Sequence, residues 1–185
     1  SPAKMTVSGI TNQNYTFDGQ SYFERATENK KAAVVDGTPV WTFSLTYDAD
    51  GAGYTETLDG ELLHAGSYTV HYRVTEPNHE TETGRFTVDI DAMTVTLTWS
   101  EDDHIYDGTV QAVTAQYAIA AADGGGLMSL AVSITAGESA FLNAGDYTFT
   151  ASFAEGDNAL GNYALPDVVT EDYTMRQAAV TVTIR

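Results

Sequence analysis

The chain is 185 residues long and 43% hydrophobic, enough to bury one or two cores. Its 26 Asp and Glu against 8 Lys and Arg leave a formal net charge of -18, a surface that repels phosphate backbones and excludes nucleic acid as a partner. With no cysteine there are no disulfides, thiolate metal sites or cysteine nucleophiles, and no apolar run approaches the roughly 20 residues of a membrane span.

The chain opens at Ser1-Pro2 without an initiator Met and reads as a fragment of a longer parent. Met5-Thr6-Val7 begins a first strand. Phe17-Asp18-Gly19 predicts a turn, because glycine takes positive φ freely and an Asp carboxylate accepts nearby backbone N–H groups. Ser21 to Val35 reads either as one or two helical turns or as a polar loop. Trp41, Phe43, Leu45 and Tyr47 alternate with other positions and predict a half-buried strand. After Ala65-Gly66, Tyr68, Val70, Tyr72 and Val74 fall on one face, with Ser67, Thr69, His71 and Arg73 opposite. Phe86, Val88 and Ile90 form the closing strand.

The series then repeats. Met93-Thr94-Val95 answers Met5-Thr6-Val7, and Tyr106-Asp107-Gly108 answers Phe17-Asp18-Gly19. Met128, Leu130, Val132 and Ile134 answer the strand from Trp41 to Tyr47. Ala144-Gly145 leads into Tyr147, Phe149, Ala151 and Phe153, and Tyr173 and Met175 match Phe86 and Val88. Extra residues between Tyr47 and Ala65, and between Phe153 and Tyr173, belong in loops. Phe86, Val88 and Ile90 are apolar at even positions and Met93, Val95, Leu97 and Trp99 at odd ones, so the buried face flips across Asp91-Ala92. Residues 1–91 and 92–185 are therefore expected to be separate domains, joined without Gly or Pro and so with restricted motion between them. Ala179 to Ile184 repeats the opening strand once more. Residues 178–185 are thus read as the first strand of a following repeat, expected to pair with an edge strand of the second unit or of a neighbouring molecule. The class is all-β: two tandem immunoglobulin-like antiparallel β-sandwich domains.

Three stretches of the second unit carry a family resemblance: Tyr106-Asp107-Gly108-Thr109, Asn143-Ala144-Gly145-Asp146-Tyr147-Thr148 and Gly161-Asn162-Tyr163-Ala164-Leu165-Pro166. Together they resemble the MBG and YDG-type immunoglobulin-like repeats of bacterial surface proteins. The first unit keeps Phe17-Asp18-Gly19 and Ala65-Gly66-Ser67-Tyr68-Thr69, but has Pro77-Asn78-His79 where Gly-Asn-Tyr would stand. The resemblance implies tandem modules of a secreted or wall-attached protein, often a stalk or adhesin, and carries no catalytic residue.

Chemistry-bearing motifs are few. Against a twelve-position calcium loop, Asp48, Asp50, Glu56 and Asp59 fall at positions one, three, nine and twelve. Position five is Ala52 and the flanks are strands, so a hairpin tip explains the same residues. Glu101, Asp102, Asp103 and Asp107 read as solvated loop charge. His79-Glu80 lacks the second histidine of a zincin, and Gly124-Gly125-Gly126 lacks the lysine of a phosphate loop. No lysine follows Ala92 and the strand from Phe86 to Ile90 has no Asn, so no internal Lys–Asn crosslink is expected.

The expected role is a non-catalytic spacer or stalk segment at the bacterial cell surface, with no cofactor and no catalytic or metal residue assigned. Its partners would be neighbouring repeats of the same polypeptide, and the fragment itself a monomer that does not enter membranes. The alternative is a module that binds a glycan or host protein through aromatics of the loop inserts, Tyr54 or Tyr163.

Overall fold

The computed structural model describes residues 1–100, 103–119, 128–130, 132–134, 140–153, 160–164 and 169–184. It divides into two units, Ser1–Met93 with Leu160–Asn162, and Thr94–Ala159 with Tyr163–Arg185.

The first unit runs through β1 (Thr6–Ser8), β2 (Gln13–Thr16), α1 (Phe23–Thr27), β3 (Lys31–Ala33), β4 (Val40–Ser44), β5 (Gly66–Thr75) and β6 (Glu82–Asp91). Its main sheet has the order β2-β6-β5-β4, and β1 pairs separately with β3. The long β5–β6 ladder is antiparallel from Gly66 opposite Ile90 to Val74 opposite Glu82. Val70, Val74, Phe86, Val88 and Ile90 point into the core, as the period of two requires. The open choice between Ser21 and Val35 resolves as the five-residue α1. A helix this short is not stable by propensity; it forms because Phe23, Ala26 and Thr27 are buried, with Phe23 edge-on to Phe43 at 5.0 Å.

The chain continues through β7 (Met93–Thr94), β8 (Leu97–Trp99), β9 (Asp103–Ile105), β10 (Gln111–Ala112), β11 (Ala115–Ile119), β12 (Met128–Leu130), β13 (Val132–Ile134), β14 (Ala140–Phe141), β15 (Gly145–Phe153), β16 (Tyr163–Ala164) and β17 (Val169–Arg176). In the second unit one sheet has the order β12-β11-β8 and the other β13-β15-β17-β9. Among the described residues, Val113, Phe149, Tyr173 and Met175 form a buried cluster in its core, with Trp99 and Tyr147 packed against it. Phe149 meets Tyr173 edge-on at 5.3 Å, and the Tyr173 hydroxyl donates to the Ser100 carbonyl at 3.1 Å. Apart from the five residues of α1, every described element is a strand, and the fold is all-β.

Both units use one device that the expectation of purely antiparallel sheets does not contain. β2 runs parallel to β6, with Thr16 opposite Asp91, and β9 runs parallel to β17, with Ile105 opposite Arg176. In each case the next residue extends the pairing: Phe17 N–H donates to the Asp91 carbonyl, and Tyr106 N–H to that of Arg176. The Asp-Gly turn follows at once. Gly19 and Gly108 sit at φ 79° and 81°, a region that glycine enters without the Cβ penalty. Asp18 Oδ1 accepts the Gln20 N–H, as Asp107 Oδ1 accepts that of Thr109.

The structure corrects three readings of the sequence. First, Val88 and Ile90 correspond to Tyr173 and Met175. Their partners are Tyr68 and Gly66 in one unit, Tyr147 and Gly145 in the other, so the closing strands align two residues away from the match of Phe86 and Val88. Second, Met128 to Ile134 is not one strand: β12 pairs with β11, while β13 pairs with β15 in the other sheet. Met93 to Trp99 divides likewise, β7 pairing with β16 and β8 with β11. Third, residues 179–184 form no strand and have no ladder partner among the described residues, so the expected pairing to an edge of the second unit is not seen there. Val180, Val182 and Ile184 are 87%, 78% and 92% exposed.

Candidate functional site

A concavity of the first unit lies on the outer face of β5 and β6. His71 stands opposite Arg85 and Arg73 opposite Thr83, with Tyr72 and Gly84 paired between them. Odd positions of these two strands share one face, so the two arginines, His71 and Thr83 point to the same side. The segment after β4 supplies the walls. β4 stops at Ser44, whose hydroxyl accepts the Thr46 N–H at 3.1 Å and turns the chain. Tyr47 thereby leaves the core pattern expected of it. It is 67% exposed, with its ring 5.5 Å from the His71 imidazole.

From Tyr47 the chain makes a tight tip and returns. Asp48 Oδ1 accepts the N–H groups of Asp50 and Ala52 at 2.9 and 3.1 Å, and Gly51 N–H donates to the Asp48 carbonyl. Thr55 then exchanges two backbone hydrogen bonds with Phe43, pinning the returning limb to β4. Tyr54, half-buried beside that bridge, becomes the second aromatic wall. Arg73 Nη1 reaches the Ala49 carbonyl at 3.4 Å and ties the tip to the sheet. The resulting groove encloses ≈ 470 Å³, within the range of about 300–1,000 Å³ typical of small-molecule sites.

Charge in the groove runs against that of the molecule. Arg73 and Arg85 line it together with one carboxylate, Asp48, whose Oδ1 is already engaged by backbone N–H groups. Neither arginine forms an ion pair among the described residues. The Tyr72 phenol is pushed above its usual range by burial and then by the Glu82 carboxylate.

The other sequence candidates come apart or serve the fold. Asp50, Glu56 and Asp59 are exposed, and among the described residues no three His, Asp or Glu side chains converge to hold a metal. Tyr163 is 8% exposed, within β16, which removes it as a contact aromatic. His79 Nδ1 lies 3.1 Å from the Pro77 carbonyl. Glu101, Asp102 and Gly124-Gly125-Gly126 lie outside the described residues. Asp18 anchors a structural knot: Tyr22 Oη donates to its Oδ1 at 2.7 Å and Arg25 Nη1 to its Oδ2 at 2.6 Å, with the guanidinium over the Tyr22 ring. Burial raises the Asp18 carboxyl, but the hydrogen bonds from Tyr22, Arg25 and the Gln20 N–H outweigh it and hold the group below its usual range. Burial and the Asp18 hydrogen bond push the Tyr22 phenol up. Asp107 is also lowered, by the Thr109 side-chain hydroxyl first and then by its N–H.

No family model and no curated protein matches the chain. Among solved structures, it is similar to PcdhgB3 EC1-4 at 13% identity, over 96% of this chain and 50% of that one, with a TM-score of 0.36. Protocadherin Gamma B2 extracellular cadherin domains 3-6 match at 13% identity, over 95% of this chain and 47% of that one, with a TM-score of 0.30. Fibronectin(III)-like modules of Clostridium thermocellum CbhA match at 16% identity, over 98% of each chain, with a TM-score of 0.26. The chain thus spans about half the length of the two protocadherin structures, and likeness at this level assigns no activity. No helix among the described residues is long and apolar enough to cross a membrane.

Proposed function

We propose that the two units are non-catalytic spacer modules of a protein exposed on the bacterial cell surface, of the MBG and YDG type. The supporting observation is that one construction is built twice: a strand parallel to the closing strand, followed at once by an Asp-Gly turn. Selection for repetition of a scaffold is what a spacer needs, since length comes from adding units. Antibodies raised against the chain should label intact cells that make it, and external protease should strip the label. Label that appears only after lysis overturns the surface assignment.

A second reading is a glycan-binding module. The groove favours it, because Tyr47 and Tyr54 flank two arginines that have no carboxylate partner among the described residues.

A further inference from the structure

We propose that the groove over β5 and β6 takes a carboxylated sugar ring, a uronic or sialic acid unit. Arg85 and Arg73 would hold the carboxylate, with Tyr47 and Tyr54 against the ring. The proposal rests on the glycan-binding reading and adds to it the charge class of the ligand.

The argument begins with the arginines. Arg73 and Arg85 are diagonal neighbours on adjacent strands, and like charges that close repel. Acidic residues outnumber basic ones 26 to 8, so a carboxylate partner would be the simplest relief, yet neither guanidinium has one among the described residues. Two guanidinium forks on one face are a receptor for a planar carboxylate, which they bind through paired N–H···O bonds. The chain's long-range field opposes any anion, but that field fades beyond about 8 Å at physiological salt, leaving contact-range charge to decide.

The walls select the rest of the ligand. A tyrosine offers a flat apolar face that covers the C–H face of a pyranose, and a hydroxyl that bonds to the sugar's own. Tyr47 is 67% exposed and Tyr54 half-buried, on opposite limbs of the same tip, and the Thr83 hydroxyl adds a donor on the floor. A bare phosphate would use the arginines and leave both tyrosines idle.

The test is titration of the full chain, followed by calorimetry and by the tyrosine ring resonances. The probes are glucuronic acid, N-acetylneuraminic acid, glucose, N-acetylglucosamine and inorganic phosphate. At least one acidic sugar should bind about tenfold or more tighter than the neutral sugars and phosphate. Arg85→Gln should abolish that preference, and Tyr47→Ala should weaken every sugar. Both side chains are exposed, so unchanged melting of the variants shows that folding is intact. Equal affinity for acidic and neutral sugars, a preference that survives Arg85→Gln, or phosphate binding as tightly as the acidic sugar each overturns the carboxylate assignment and leaves a saccharide site standing. Failure of every sugar to bind at millimolar concentration overturns the glycan reading with it.

Discussion

The ring of Tyr72 lies over the bare Cα of Gly84, its partner across the β5–β6 ladder, and fills the space that a side chain there would need. Trp41 closes on the other side of the ring, with centroids 5.7 Å apart, so the phenol has little room to retreat. Gly84→Ala should therefore cost about 1–3 kcal/mol. A fall in the denaturation midpoint, together with displaced Tyr72 ring resonances, checks it.

The Asp18 knot makes a pH prediction. Asp18 has a folded-state pKa below its usual value, so its contribution is present above the unfolded pKa and lost as pH falls through the folded one. Asp18→Asn should be less stable than the parent by about 1–2 kcal/mol at pH 7. The gap should narrow as pH drops below about 4. Melting curves of the two proteins across that range measure it.

Phe149 is 1% exposed and anchors the second core against Tyr173. Phe149→Ala should cost about 3–5 kcal/mol through the cavity it leaves. Chemical denaturation in a Trp41→Phe background, where Trp99 is the sole tryptophan, reads that core by fluorescence, since Trp99 packs on Tyr173 at 6.3 Å.

The Asp48 loop is predicted to respond to truncation and not to calcium. Asp48→Ala removes the acceptor for two backbone N–H groups and should cost about 1 kcal/mol. Millimolar calcium should leave the parent's melting temperature unmoved. A rise of several degrees that disappears in Asp50→Ala would show a metal site.

Removal of the residues after Gln177 should change stability by no more than about 0.5 kcal/mol. Val180, Val182 and Ile184 bury almost nothing in this chain. A larger loss on truncation would show that the tail pairs with the second unit after all.

What could be read from the chain alone was local. Asp18-Gly19 and Asp107-Gly108 announce their turns because the chemistry sits in two adjacent residues. The phase change after Ile90 is equally visible. Register was not: a period of two is unchanged by a slip of two residues, so Val88 could be matched to Met175 until Tyr68 and Tyr147 across the ladders fixed it against Tyr173. The groove was hidden for a related reason. Tyr47 continues the alternation of Trp41 and Phe43, and only the turn at Ser44 carries it off that face toward His71. Tyr54 was found as an insert aromatic, whereas the arginines that would give it chemical company read simply as the polar side of a strand.

The parallel pairing of β2 with β6, and of β9 with β17, has a mechanical meaning. Within each unit an early strand and the closing strand lie side by side in the same direction. Tension applied at the two ends of a unit then drags these strands lengthwise past one another. Hydrogen bonds loaded in that way must yield together, whereas bonds at the end of a hairpin peel one at a time. In the first unit four residue pairs, from Gln13 with Val88 to Thr16 with Asp91, share such a load. The residues that set pulling resistance are therefore those of this short latch, and not the larger β5–β6 ladder that supplies most of the sheet.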